Sequence, residues 1–338
     1  MKYQTTEAFA RSMDQNDLLQ SYRQQFHIPK GPTGEDVIYF AGNSLGLQPR
    51  KAREYIGQEF EDWARFGVGG HLQARHPWLS YHEELTEMTA RLVGAKPNEV
   101  VVMNALTVNL HLMMVSFYRP SAGRHKILME ASAFPSDQYA AASQVKFHGR
   151  DPRESIVEVK ARNNQRTLRT EDILAAIEQH RDSLALVLLG NVNYLTGQAF
   201  DMPAITEAAH RARVPAGFNL AHGAGNLKLS LDEWNVDFAV WCTYKYLNAG
   251  PGNLSGCFVH EKHSRDWGLP RFAGWWGHNK KTRFNMDPEF DPLPGAEGWQ
   301  ISNPPIFELA ALRAATEIFD AATMSEIRKK SELLTGYL

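Results

Sequence analysis

Phe238-Ala239-Val240-Trp241-Cys242-Thr243-Tyr244-Lys245-Tyr246-Leu247-Asn248-Ala249-Gly250-Pro251-Gly252 passes from five consecutive apolar residues into a turn of aromatic, glycine and proline residues. A segment with no polar face has no solvent side, so it predicts a strand covered above and below, as in parallel sheets. The same signature recurs at Val100 to Met103, Lys126 to Met129, Leu184 to Leu189, Ala216 to Leu220 and Gly256 to Val259. Amphipathic helical stretches such as Glu171 to His180 and Pro203 to Ala212 lie between them. That is the rhythm of strands joined by crossover helices. The fold class is α/β, a mostly parallel central sheet sandwiched by helices.

On the amino-terminal side, Thr6 to His27 reads as one helix behind a threonine cap, with Phe9, Met13, Leu19, Tyr22 and Phe26 at helical spacing. Val37 to Phe40 is a short β-type run. A helix opens at Pro49, and another at Ser80-Tyr81-His82-Glu83, which has capping-box form and meets Gly94 as its stop. On the carboxyl side, Pro288, Pro292, Pro294, Pro304 and Pro305 break regularity and mark a passage to a second domain, with helices from Ile306 to Phe319 and from Ser325. The division expected is a helical arm over residues 1–30, a large domain over 31–300 and the incomplete start of a small domain over 301–338.

Charge is nearly balanced, with Lys+Arg 36 against Asp+Glu 38 in 338 residues, which argues against a nucleic-acid partner. The two cysteines, Cys242 and Cys257, lie in apolar runs without metal-ligand spacing, so no metal site is expected and a reducing cytoplasm fits. No run of about eighteen apolar residues and no leader-like segment occurs, so a soluble cytoplasmic protein without membrane contact is expected.

Four strand-end motifs carry possible chemistry. Lys245 follows a buried strand directly, where α/β proteins place ligand chemistry; its aromatic neighbours suit either a nucleophilic amine or a surface lysine with its stem along Tyr244 and Tyr246. Val100 to Thr107 is a strand turning into a helix, so Leu106 and Thr107 sit where free N–H groups bind anions. Phe134-Pro135-Ser136-Asp137 offers a ring to cover a flat cofactor, although capping of the next helix by Ser136 and Asp137 explains the polar pair equally well. Gly217 to Gly225 places Asn219 and His222 among small residues that permit close approach. A phosphate site, a stacking ring, a polar partner for a ring nitrogen and an amine for an aldehyde together meet the needs of pyridoxal 5′-phosphate.

These motifs, with Gly42-Asn43-Ser44-Leu45-Gly46-Leu47-Gln48-Pro49, Met103 to His111, Tyr244 to Gly250, Ala273-Gly274-Trp275-Trp276-Gly277-His278 and Ile301-Ser302-Asn303-Pro304-Pro305, make the chain resemble the kynureninases, pyridoxal-phosphate enzymes of fold type I. The resemblance implies that Lys245 forms the Schiff base, that Leu106, Thr107 and Tyr244 bind phosphate, and that Phe134 covers the pyridine ring, with Pro135, Ser136, Asp137, Asn219 and His222 around it. It further implies that Tyr244 donates protons, that Trp275 and Asn303 reach the cofactor site across a homodimer interface, and that Ser44, His71 and Asn303 face the substrate. The activity implied is hydrolytic cleavage of L-kynurenine to anthranilate and L-alanine, in tryptophan degradation and NAD biosynthesis, with the choice between kynurenine and 3-hydroxykynurenine left open.

Two departures stand out. The family pattern at position 219 is aspartate, whose charge keeps the ring nitrogen protonated, whereas this chain has Asn219. Restoring aspartate is expected to raise turnover unless Asp137 already supplies the charge. The chain also ends at Leu338, before the family's carboxylate-binding arginine, so a shortened chain is expected. The competing readings are another fold-type-I enzyme, a cysteine desulfurase or aminotransferase, and a pyridoxal-phosphate-binding protein with impaired activity.

Overall fold

The computed structural model describes residues 2–338. Its centre is a sheet of seven strands: β1 (Val100–Met103), β2 (Lys126–Glu130), β3 (Ile156–Val159), β4 (Leu184–Gly190), β5 (Ala216–Asn219), β6 (Phe238–Cys242) and β7 (Ser255–Val259). Their order across the sheet is β1-β7-β6-β5-β4-β2-β3. Pairings from β6 through β5, β4 and β2 to β3 are parallel, and β7 is antiparallel to both its neighbours. The mostly parallel α/β sheet expected from the apolar runs is therefore present.

The lack of polar alternation has a direct cause. In β4, Leu186 and Leu188 join one core cluster while Val187 and Leu189 join the cluster on the opposite face. Both sides of the strand are covered, so neither set of alternate positions meets water. Two strand glycines serve close approach: Gly217 pairs with Phe238 and Gly256 with Trp241, and a Cβ at either would meet the partner's ring at 2.0 or 2.1 Å. The strand β3 escapes the sequence pattern because it is a short edge strand with Glu158 exposed.

The amino-terminal region corrects four expectations. Thr6 does cap a helix, accepting from Phe9 N at 3.3 Å, but the helix covers Glu7–Gln15 only. Asn16 donates its side-chain amide to Ser12 O and Asp17 accepts from Leu19 N, local bonds that end the helix and divert the chain into a 3-10 turn at Gln20–Gln25. Val37 to Phe40 pairs with no strand, and Ile38 and Phe40 are exposed. Pro49 is the residue before the helix Arg50–Phe66, not its first turn. Ser80 makes no capping bond: Tyr81–Leu85 is a 3-10 turn, and the helix proper, Thr86–Val93, stops as expected at Gly94 with φ 63°.

The proline-broken segment lies along the sheet's helical cover. Trp299 is buried and donates to Ser116 Oγ at 2.9 Å, with the Arg271 guanidinium 3.9 Å from its ring centroid. The following helix, Ile306–Ala322, buries Leu309, Leu312 and Ala315 with Tyr81 and Leu85, and Phe307 stacks on Phe60 at 4.6 Å. Among the described residues no helix is long and apolar enough to cross a membrane.

Candidate active site

Because only β7 runs against the others, β1, β2, β4, β5 and β6 all deliver their following residues to one edge of the sheet. A cleft of about 540 Å³, including its open mouth, lies there. Leu106 and Thr107 line it after β1, Phe134, Ser136 and Asp137 after β2, Asn219 and His222 after β5, and Tyr244 and Lys245 after β6.

The turn after β1 is held by paired amides. Asn104 adopts a left-handed φ of 48°, a conformation asparagine tolerates. Its side chain donates to Asn109 Oδ1 at 3.0 Å, and Asn109 donates to Met103 O at 2.8 Å. The helix Leu106–Phe117 thus begins at the cleft, where its first N–H groups lack intrahelical partners and an anion is favoured.

After β2, Phe134 precedes the helix Pro135–Phe147 and is 48 % exposed, presenting its ring to the cleft. Tyr194 stands perpendicular to that ring at 5.2 Å, fixing it from the side. Lys245 Nζ lies 5.7 Å from the ring centroid. The amine also meets His222 Nε2 at 3.1 Å, and His222 Nδ1 lies 3.4 Å from the Tyr246 hydroxyl. Burial, helped by the neighbouring Lys245 charge, pulls His222 down to about 4, so its imidazole is neutral at pH 7 and offers Nε2 as an acceptor. Burial raises the Tyr244 phenol, which keeps it a proton donor through neutral pH.

Asp137 does not cap its helix. Its two carboxylate oxygens accept from Asn219 Nδ2, each at 2.9 Å, while Asn219 Oδ1 accepts from Ala221 N at 2.9 Å. Burial pushes the Asp137 carboxyl up to about 6, against the pull of the Asn219 bond and the Lys245 charge. Beside it, Glu130 accepts from Gly190 N at 3.2 Å and is pushed by burial to about 8, so it is mostly neutral at pH 7. The strand β4 lies between β2 and β5 and ends in Gly190, where a Cβ would come to 3.0 Å from Glu130 Oε1.

Of the residues named from sequence, Ser44, His71, Trp275 and Asn303 do not line the cleft, and Pro135 opens the helix behind it. Ser44 belongs to a loop tied to the lysine turn, with Gly46 N donating to Tyr244 O and Leu47 N to Asn248 Oδ1, both at 2.8 Å. His71 starts the short helix Gly70–Gln73 and packs edge-on to Trp78 at 5.5 Å. The Trp275 and Asn303 segments run side by side, joined by Trp276 N to Ile301 O, and both residues are exposed. Sequence reading missed Glu130, Tyr194 and Cys242. A carboxylate closing an otherwise apolar strand was the available signal for Glu130; nothing local marked the other two.

The arrangement suits a phosphorylated pyridine aldehyde. Helix N–H groups for the phosphate, an exposed aromatic face, a lysine amine and a buried carboxylate converge on one cleft, so the residues present fit pyridoxal 5′-phosphate. Comparison with known proteins gives the same direction. The Aminotransferase class-V family matches residues 38–338. The chain is 66% identical to a kynureninase from Myxococcus xanthus over 336 residues, covering 99% of this chain and 79% of that one. It is 52% identical to a kynureninase from Nematostella vectensis, covering 98% of this chain and 73% of that one. Among solved structures, a C-DES mutant with glycine covalently linked to its PLP cofactor matches with a TM-score of 0.74 at 18% identity, over 91% of this chain and 76% of that one. An apo cysteine desulfurase from Thermococcus onnurineus matches at 0.72 and 15%, over 99% and 75%. At those identities the two structures speak for the fold alone.

Proposed function

This chain belongs to the kynureninases of the class-V aminotransferase family, and from that premise we propose how its cleft performs the hydrolytic cleavage of L-kynurenine to anthranilate and L-alanine. The observation that carries the proposal is the convergence of Lys245, Phe134, the start of the helix Leu106–Phe117 and the Asp137–Asn219 pair on one cleft.

When bound, pyridoxal 5′-phosphate supplies the electron sink that acidifies the substrate's Cα and takes up the electron pair of the breaking carbon–carbon bond. Leu106 and Thr107 hold the phosphate with backbone N–H groups and the threonine hydroxyl. Phe134 covers the ring, steadied by Tyr194. Lys245 would hold the cofactor through its amine, and the same amine would take the substrate's Cα proton. Neutral His222 keeps the Lys245 nitrogen in place through an acceptor. Tyr244, whose phenol burial keeps protonated at neutral pH, would donate a proton to the substrate's Cβ as water adds to the aryl ketone carbon and the bond between those two carbons breaks.

Ser44 and His71 are proposed to meet the substrate, and the tie between the Ser44 loop and the lysine turn supports the first. Trp275 and Asn303 are proposed to complete the cleft of a second copy in a homodimer. Their exposure and their absence from this chain's cleft support that reading. Borohydride reduction of the cofactor-loaded protein followed by peptide mapping tests the centre of the proposal: the pyridoxyl label belongs on Lys245, and a label on another lysine overturns the assignment.

A further inference from the structure

Building on the reading of the cleft as a pyridoxal 5′-phosphate site, we infer that Tyr246 is a positioning residue of the reaction: its phenol fixes the ring of His222, and through that ring the amine of Lys245. The three groups form one line of contacts. Lys245 Nζ lies 3.1 Å from His222 Nε2, and His222 Nδ1 lies 3.4 Å from the Tyr246 hydroxyl, the two rings standing edge-on at 77°. The order of donors along the line is set at the lysine end. An ammonium has three N–H donors and no acceptor, so Nε2 must face it with a lone pair. Burial and the neighbouring Lys245 charge bring His222 down to about 4, and the neutral imidazole that results at pH 7 carries one proton. That proton is therefore on Nδ1, and the Tyr246 oxygen accepts the bond it makes. Burial raises the Tyr246 phenol, so the acceptor is a neutral hydroxyl and not a phenolate.

Among the described residues the imidazole makes no other hydrogen bond, so losing the phenol would leave the N–H of a partly buried ring unpaired. Tyr244 lines the cleft and Tyr246 does not, which confines Tyr246 to acting through His222. The backbone brings the two segments together. Gly225, in the turn after His222, has a left-handed φ of 79°, and a Cβ there would come to 3.2 Å from Tyr246 Cβ and 2.8 Å from Leu247 Cδ2. The same turn is tied by Asn226 Nδ2, which donates to His222 O at 2.9 Å. With the backbone held, the imidazole keeps only its side-chain rotations, and the amine at one nitrogen and the phenol at the other define them. The consequence lies at the end of the flexible four-carbon lysine stem, where the base has to stay within reach of the substrate's Cα. A base that wanders costs turnover while leaving substrate binding nearly unchanged.

The experiment uses the full chain and two readouts. In NMR spectra of the cofactor-free protein with isotope-labelled histidine, His222 is expected to be protonated on Nδ1 at neutral pH, with that proton protected from water and resolved; His222→Gln identifies the signal by its loss. Tyr246→Phe keeps the ring and removes only the oxygen. It is expected to abolish the resolved proton and, in the loaded enzyme, to lower kcat for kynurenine about three- to tenfold while KM changes less than about twofold. His222→Gln retains an amide oxygen for the amine but nothing for Tyr246 to hold, so adding Tyr246→Phe to it is expected to cost less than about twofold further. A proton on Nε2 in the unaltered chain, an unchanged signal in Tyr246→Phe, or the same loss of kcat with and without His222→Gln overturns the inference and makes Tyr246 a packing residue. A borohydride label on a lysine other than Lys245 refutes the reading of the cleft itself, a different failure.

Discussion

Asn219→Asp replaces an amide that donates to both Asp137 oxygens with a second carboxylate at the same 2.9 Å separation. Two buried carboxylates that close do not both ionise; they share a proton and titrate as a pair. Asp137 alone is already raised from 3.8 to about 6 by burial, with the Asn219 bond the largest pull in the other direction. Removing that pull and adding a like charge carries the pair's proton loss above neutral pH. A folded-state value above the unfolded one means stability that is full at low pH and lost as pH rises. In the unaltered chain the loss falls between pH 3.8 and about 6 and is complete by neutrality. In the variant it continues through neutrality. A lost hydrogen bond to a charged group is worth about 1.5–3 kcal/mol, which sets the scale of the deficit at alkaline pH. Urea unfolding of the cofactor-free protein at acid and alkaline pH measures it. The deficit of the variant is expected to be smaller near pH 5 and to reach about 1.5–3 kcal/mol near pH 8. A deficit equal at both pH values refutes the reasoning, because it would mean the carboxylates do not meet. In the loaded enzyme, the protonated ring nitrogen offsets part of the repulsion, so cofactor binding should stabilise the variant more than the unaltered chain. Turnover should then rise by less than tenfold, because Asp137 already provides one charge.

Two further outcomes follow from the packing around the site and opposite it. Gly46→Ala would bring a Cβ to 2.3 Å from Lys245 O and push the Ser44 loop off the lysine turn, so kynurenine KM is expected to rise about tenfold while borohydride still labels Lys245; an unchanged KM removes Ser44 from the substrate. At the opposite edge of the sheet, burial pushes Asp237 up, but bonds from His210 and His263 and the Lys262 charge outweigh it and hold the carboxyl well below its usual range. The stability it contributes is therefore present above pH 3.8 and lost with further acidification. Asp237→Asn should lower stability by about 3–5 kcal/mol at pH 7 and leave the cofactor's absorbance band unmoved; a shifted band would show that the two sheet edges are coupled.

What could be read from the sequence, and what could not, follows from the range over which each interaction acts. Strands buried on both faces announce themselves, because every position obeys the same solvent exclusion; β6 and β4 needed only their own residues to be recognised. Each site motif was legible for a related reason, since a polar residue or lysine directly after such a strand lies at the sheet edge whatever the rest of the chain does. The single helix expected from Thr6 to His27 failed on two short-range bonds, from Asn16 and to Asp17, which compete with helical hydrogen bonds while leaving the apolar spacing intact. The Asp137–Asn219 pair lay further out of reach, because it spans 82 positions and depends on strand order. With β4 between β2 and β5, the two residues belong to segments that are not neighbours in the sheet, and no local pattern records that strand order. The substitution that made Asn219 look like a loss is thus half of a pair, and its chemistry has to be argued from the partner that local pattern assigned to helix capping.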